Sequence, residues 1–126
     1  MKKIMVALTV LFISLILSAS KGEGYPKVLG YYSFIGDTIV AINESVCLHE
    51  IAHKADFKDA GFSGKWISTS EAWRNANANF KGDLTELYAD IYMDSNGHEE
   101  YIPEELRPFY DFGLLYNLRI ERCNGY

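Results

Sequence analysis

Residues 49–53 read His-Glu-Ile-Ala-His, and no other stretch restricts the fold as much. On a helix, two histidines four apart share a face one turn above the other, close enough to meet at one point. There, two imidazole nitrogens can reach one Zn²⁺, and the glutamate beside the first histidine can polarise a metal-bound water. A zinc site of this type takes three protein ligands and keeps one position open, so a second element must pack against the helix. The plain alternative is a solvated helix face that happens to carry two histidines.

The surrounding pattern supports a helix. Asn43 and Ser45 are candidate N-caps, and Glu44 suits a first turn. Leu48, Ile51, Ala52 and Ala55 make an apolar stripe at helical spacing. His49, Glu50 and His53 lie outside it, which places them on a face open to a cleft. Upstream, β-branched and aromatic residues predict strands at Leu29–Phe34 and Thr38–Ile42, with Gly36-Asp37 as a hairpin turn. Downstream, Gly61 and Gly64 mark a loop, and Ser68-Thr69-Ser70-Glu71 predicts the start of a short helix running to about Asn77. Asp83 reads as the N-cap of a helix from Leu84 to about Asp94, ended by Asn96-Gly97. Pro103 suits a first helical position. A last helix is expected from about Pro108 to Arg122, with Leu114, Leu115, Leu118 and Ile120 mostly inside. The fold class expected is α+β: a small sheet or hairpin, the His-bearing helix, a ligand helix and a C-terminal helix.

The third ligand must come from elsewhere in the chain. Cys47 precedes His49 by two residues, about 200° around the helix, and cannot join it on one ion. His98 is the only histidine outside the string, so carboxylates are the main candidates. Glu86 and Asp90 stand four apart on the expected Leu84–Asp94 helix. One can ligate while the other orients a ligand histidine, and Glu86 is the preferred ligand. The structural alternatives are a capping box between Asp83 and Glu86 and a solvated Asp90. Asp59 is a rival, ten residues after His49, where a related zinc pattern (H-E-x-x-H-x-x-G-x-x-H or -D) has its last ligand. That pattern needs a glycine to turn the chain, and here position 56 is Asp. Asp56 follows His53 by three residues, so a role behind the ligands or in helix packing suits it better than ligation.

His49-Glu50-Ile51-Ala52-His53-Lys54-Ala55-Asp56 and Glu86-Leu87-Tyr88-Ala89-Asp90 together resemble the gluzincin-type zinc metallopeptidases. That group includes the catalytic domain of anthrax lethal factor and related small secreted proteins, with H-E-x-x-H-x-x-D and E-x-x-A-E motifs. The resemblance covers about 15 residues. It implies a minimal zincin-like fold, with His49, His53 and Glu86 as metal ligands, Glu50 as general base, and Asp90 and Asp56 supporting the ligands from behind. It also puts the Thr38–Ile42 strand where such enzymes bind an extended substrate. Two departures stand out: Asp90 replaces a longer Glu, and Asn79-Phe80-Lys81 has no tyrosine where the group has one to stabilise the transition state. Tyr88, Tyr92, His98 and Tyr101 are the candidates for that donor.

Compartment and partners follow from the rest of the chain. Lys2 and Lys3, the apolar run Ile4–Leu17 and Ser18-Ala19-Ser20 read as a cleavable signal peptide over residues 1–20. The run is short for a membrane span of about 20 residues, so a retained N-terminal anchor is the second reading. Residues 21–126 then form one domain of about 106 residues, enough to bury a core. The net charge of −5 becomes more acidic without Lys2 and Lys3, and no basic cluster exists, which excludes a polyanion such as nucleic acid as the natural partner. Cys47 and Cys123 permit one disulfide, with two buried thiols as the other reading. The expectation is an exported zinc-dependent peptidase acting on peptide or protein substrates. Its rivals are a zinc-binding interaction module with little catalysis and a metal-free binding domain.

Overall fold

The computed structural model describes residues 16–18, 27–33, 35–58 and 66–125. Most of the expected leader, the lead-in before residue 27, and the glycine loop with Asp59 lie outside the described residues.

The architecture is α+β. Strands β1 (Ile16–Ser18), β2 (Lys27–Ser33) and β3 (Thr38–Ala41) form one antiparallel sheet in that order. Gly30 pairs with Ala41 and Ser33 with Thr38 across the hairpin. The hairpin turns where expected, with Asp37 at φ 48°, a conformation Asp tolerates better than most residues. Strand ends differ from the expectation by one or two residues, which is ordinary fraying. β1 is a larger difference, since it lies within the expected leader and pairs with β2. Leader cleavage after Ser20 would remove it and leave the β2–β3 hairpin, which carries the contact with the next helix.

That helix, α1 (Glu44–Lys58), is the centre of the molecule. Asn43 is its cap, with Oδ1 accepting the Val46 amide at 2.8 Å. The start of α1 presses so close to the sheet that a Cβ on Gly30 would lie 2.6 Å from both the Val40 carbonyl oxygen and Val46 Cγ1. Leu48, Ile51, Ala52 and Ala55 are all buried, so the apolar stripe is core as expected. Each fully buried large aliphatic contributes about 1.5–3 kcal/mol over its exposed state.

The rest of the chain wraps α1. A 3-10 turn (Ile67–Thr69) leads into α2 (Glu71–Ala76), followed by α3 (Leu84–Asp94). Two further 3-10 segments (Glu99–Tyr101 and Glu104–Phe109) lead to α4 (Phe112–Arg122). α1 packs on α3, α4 and the hairpin. Trp73, Tyr88 and Tyr110 form an aromatic cluster beside it; Trp73 donates to the Leu84 carbonyl and Tyr110 to the Tyr88 carbonyl.

Two helix starts are corrected. α2 begins at Glu71, not Ser68: Ser70 is its cap, accepting the Trp73 amide, while the Ser68 hydroxyl is held by Asp56. α4 begins at Phe112, not Pro108: the cap is Asp111, which accepts the Leu114 amide, and Pro108 sits in the preceding 3-10 segment. Ile120 is exposed, although Leu115 and Leu118 are buried as expected.

The cysteines are bridged. Cys47 and Cys123 form a disulfide with Cα atoms 5.8 Å apart, joining α1 to the end of α4. Closing a loop of this length (a sequence separation of 76 residues) stabilises the fold by about 4 kcal/mol in the chain-entropy account. A polar tie does similar work at the surface: Asp37 in the hairpin turn accepts from both Lys54 of α1 and Arg122 of α4.

Candidate metal centre

α1 presents His49 and His53 on one side, and α3 packs against that side with Glu86 and Asp90. His49 Nε2 lies 3.1 Å from Glu86 Oε2, and His53 Nε2 lies 3.1 Å from Glu86 Oε1. The two imidazoles meet edge to face, with ring centres 4.7 Å apart. One donor atom from each of His49, His53 and Glu86 falls within 4.8 Å of the others. First-row metal ions need their ligand atoms roughly 3–4 Å apart around one point, which follows from bonds of about 2 Å in tetrahedral geometry.

The backbone explains why Glu86 arrives there. Asp83 caps α3 by accepting the Thr85 and Glu86 amides. The Glu86 side chain, for which a capping box with Asp83 is the structural alternative, turns to the histidines. The expectation of a cleft is corrected as well. His49 and Glu50 are wholly buried and His53 nearly so, because α3 closes over them. Access is from the α3 side, where the Glu86 and Asp90 side chains are 32% and 48% exposed.

The chemistry of this group calls for a cation. Both Nε2 atoms are buried, and neither has an aligned hydrogen-bond partner among the described residues, although carboxylate oxygens approach within 3.1 Å. Burial disfavours a charged His49, yet the carboxylates of Asp90, Glu50 and Glu86 outweigh it and push the imidazole up to about 11. Burial likewise opposes a charged Glu86, but the two histidines hold its carboxyl well below the usual range. These carboxylates favour a positive charge at His49, which a proton or a bound cation can supply. The donor set of two imidazoles and one carboxylate fits a borderline metal ion.

The remaining candidates fall in different places. Glu50 Oε2 lies 3.2 Å from His49 Nδ1, the ring nitrogen opposite the one facing Glu86, and Glu50 Oε1 is buried without a hydrogen-bond partner among the described residues. Asp90 Oδ1 lies 3.0 Å from His49 Nε2, on the same side as Glu86. So the carboxylate on the rear nitrogen is Glu50, and Asp90 stands at the mouth. Asp56 accepts from the Ser68 amide and hydroxyl. Burial raises its carboxyl against the pull of those bonds. His98 sits in the turn after α3, against Tyr101 and 3.5 Å from Glu100. Tyr88 donates its hydroxyl to the Phe109 carbonyl, and the Tyr92 ring lies against Gly97 at the far end of α3. Tyr101 is a surface residue. None of the four expected oxyanion donors is shown reaching the His49–Glu86 group.

Sequence reasoning missed Ser68 and Thr85. Ser68 is buried, bonded to Asp56 on α1, and its hydroxyl lies 3.0 Å from that of Thr85 on α3. Nothing in the local sequence distinguishes it from a helix-starting serine.

The fold and the site together define a small α+β domain in which two helices bring together a His/His/Glu set able to hold a metal ion. No protein-family model, no curated protein and no solved structure matches the chain.

Proposed function

We propose that this chain is an exported zinc-dependent peptidase, with Zn²⁺ held by His49, His53 and Glu86. The observation that carries the reading is the convergence of those three donors, with two buried imidazole nitrogens lacking aligned partners. Zn²⁺ is the ion that two imidazoles and a carboxylate with an open position commonly select, and it supplies a Lewis acid and a water activated near neutral pH. The chain's own residues do the rest. Glu86 and the histidines neutralise one another. Glu50 Oε2 holds His49 in one ring orientation from the Nδ1 side; as general base, Glu50 would turn its other oxygen to the Nε2 side of the ring, where it would take a proton from the attacking water and deliver it to the leaving amine. An extended peptide pairs with the outer edge of β3, next to α1. Export is supported by the leader-like residues 1–20 and by the Cys47–Cys123 bridge, which suits an oxidising compartment. No helix among the described residues is long and apolar enough to cross a membrane.

The second reading, a zinc-binding module with little turnover, is favoured by the position of Glu50, wholly buried with one oxygen committed to the rear of His49. One experiment separates the two: zinc content and peptide cleavage of the purified protein beside Glu50→Gln. The peptidase reading expects stoichiometric zinc in both and loss of cleavage in the variant. Zinc in both with no cleavage by the wild type would support the module. Absence of zinc from the wild type at neutral pH would sink both.

A further inference from the structure

Ser68 has no part in the reading above, yet among the described residues it is the one side chain that bonds to both ligand helices close to the ligands. It is 2% exposed. Its hydroxyl lies 2.5 Å from Asp56 Oδ2 on α1, and its amide donates to Asp56 Oδ1 at 2.9 Å. Its hydroxyl also lies 3.0 Å from Thr85 Oγ1 on α3. A serine hydroxyl has one proton. That proton goes to the Asp56 carboxylate, so Thr85 is the donor in the second bond. The relay Thr85 → Ser68 → Asp56 therefore has a fixed direction. On α1 it ends three residues, about one turn, beyond His53. On α3 it ends at the residue preceding Glu86, within the turn capped by Asp83.

We infer that Ser68 is a positioning residue for the metal centre: through Asp56 and Thr85 it sets the first turn of α3 against α1, and so fixes where the Glu86 carboxylate meets the two histidines. It touches no ligand and acts only through spacing. The separation that matters is small, since the Glu86 oxygens stand 3.1 Å from each imidazole nitrogen. A shift of α3 by a fraction of an ångström opens one of those approaches. Without the Ser68 hydroxyl, Asp56 keeps only backbone donation, from residues 67 and 68, and Thr85 loses that acceptor. The first turn of α3 then keeps the Trp73–Leu84 bond and its apolar packing but loses its hydroxyl tie toward α1, and apolar packing is non-directional and holds register less tightly.

This inference rests on the proposed metal site but not on peptidase activity. The test is zinc affinity of the purified protein by competition with a chromophoric chelator, for wild type, Ser68→Ala, Thr85→Val, Thr85→Ser and Glu86→Ala. Ser68→Ala is expected to weaken zinc binding roughly tenfold, in the range seen when groups behind metal ligands are removed. Thr85→Val should weaken it in the same direction and Thr85→Ser should restore it. In the Glu86→Ala background, Ser68→Ala should have less than about a twofold effect, since the residue it positions is gone. A purely structural Ser68 would lower unfolding stability without that dependence on Glu86. Wild-type affinity in Ser68→Ala, or the same loss with and without Glu86, overturns the inference. Should Ser68→Ala fail to fold, the Thr85 pair decides the question alone. A wild type that binds no zinc removes the metal reading itself, which is a different result.

Discussion

Leu48, Ile51, Ala52 and Ala55 on one side of α1, and His49, Glu50, His53 and Asp56 around the other, are withdrawn from water to the same degree. The first set is buried because apolar surface leaves water at a gain of about 25 cal/mol per Å². The second set is buried against that tendency, since imidazoles and carboxylates lose hydration when α3 covers them. The polar side must recover that loss through Ser68 for Asp56 and through mutual charge, or a bound cation, for the rest. One helix thus has a side that is stable in any buffer and a side whose stability depends on what occupies it.

The comparison yields predictions of decreasing size. Replacing Cys47 and Cys123 with serine should cost about 4 kcal/mol in urea unfolding, equally with zinc or with chelator, because the bridge restrains the unfolded chain. Leu48→Ala should cost about 3 kcal/mol, again independent of zinc, since it empties a fully buried position on the apolar side. Zinc at a hundredfold excess over its Kd should raise stability by about 2.7 kcal/mol, and His53→Ala should abolish that gain. If His53→Ala is stabilised by zinc as the wild type is, the ion binds elsewhere. The smallest effect is at the surface. Asp37 is opposed by partial burial, but its bonds from Lys54 and Arg122 prevail and lower its carboxyl from 3.8. Its stabilising contribution is therefore full above pH 3.8 and is lost as pH falls below it. Asp37→Asn should cost less than about 1 kcal/mol at neutral pH and flatten the acid limb of a stability–pH curve.

What the sequence made legible, and what it hid, divides along the same lines. α1, its Asn43 cap, the hairpin and the Asp83-capped α3 could be read because cap residues and periodicity are local signals. The meeting of His49, His53 and Glu86 was also legible, since i, i+4 spacing and carboxylate chemistry leave few partners. The burial of the polar side was not, because no local pattern records that another helix will cover it. Nor could spacing tell which ring nitrogen of His49 each carboxylate would take, so Glu50 and Asp90 hold places different from those expected. Ile120 fits a helical apolar pattern but faces solvent, and Ser68 looked like a helix start while serving a partner twelve residues upstream.

The central claim is that His49, His53 and Glu86 hold one metal ion, and zinc-edge X-ray absorption on the purified protein tests it most directly. The account predicts one zinc per chain with nitrogen and oxygen neighbours at about 2.0–2.1 Å and the outer-shell signature of two imidazoles, and loss of that zinc signal in His53→Ala. Zinc with sulfur neighbours at about 2.3 Å, or the same spectrum in His53→Ala, would contradict it.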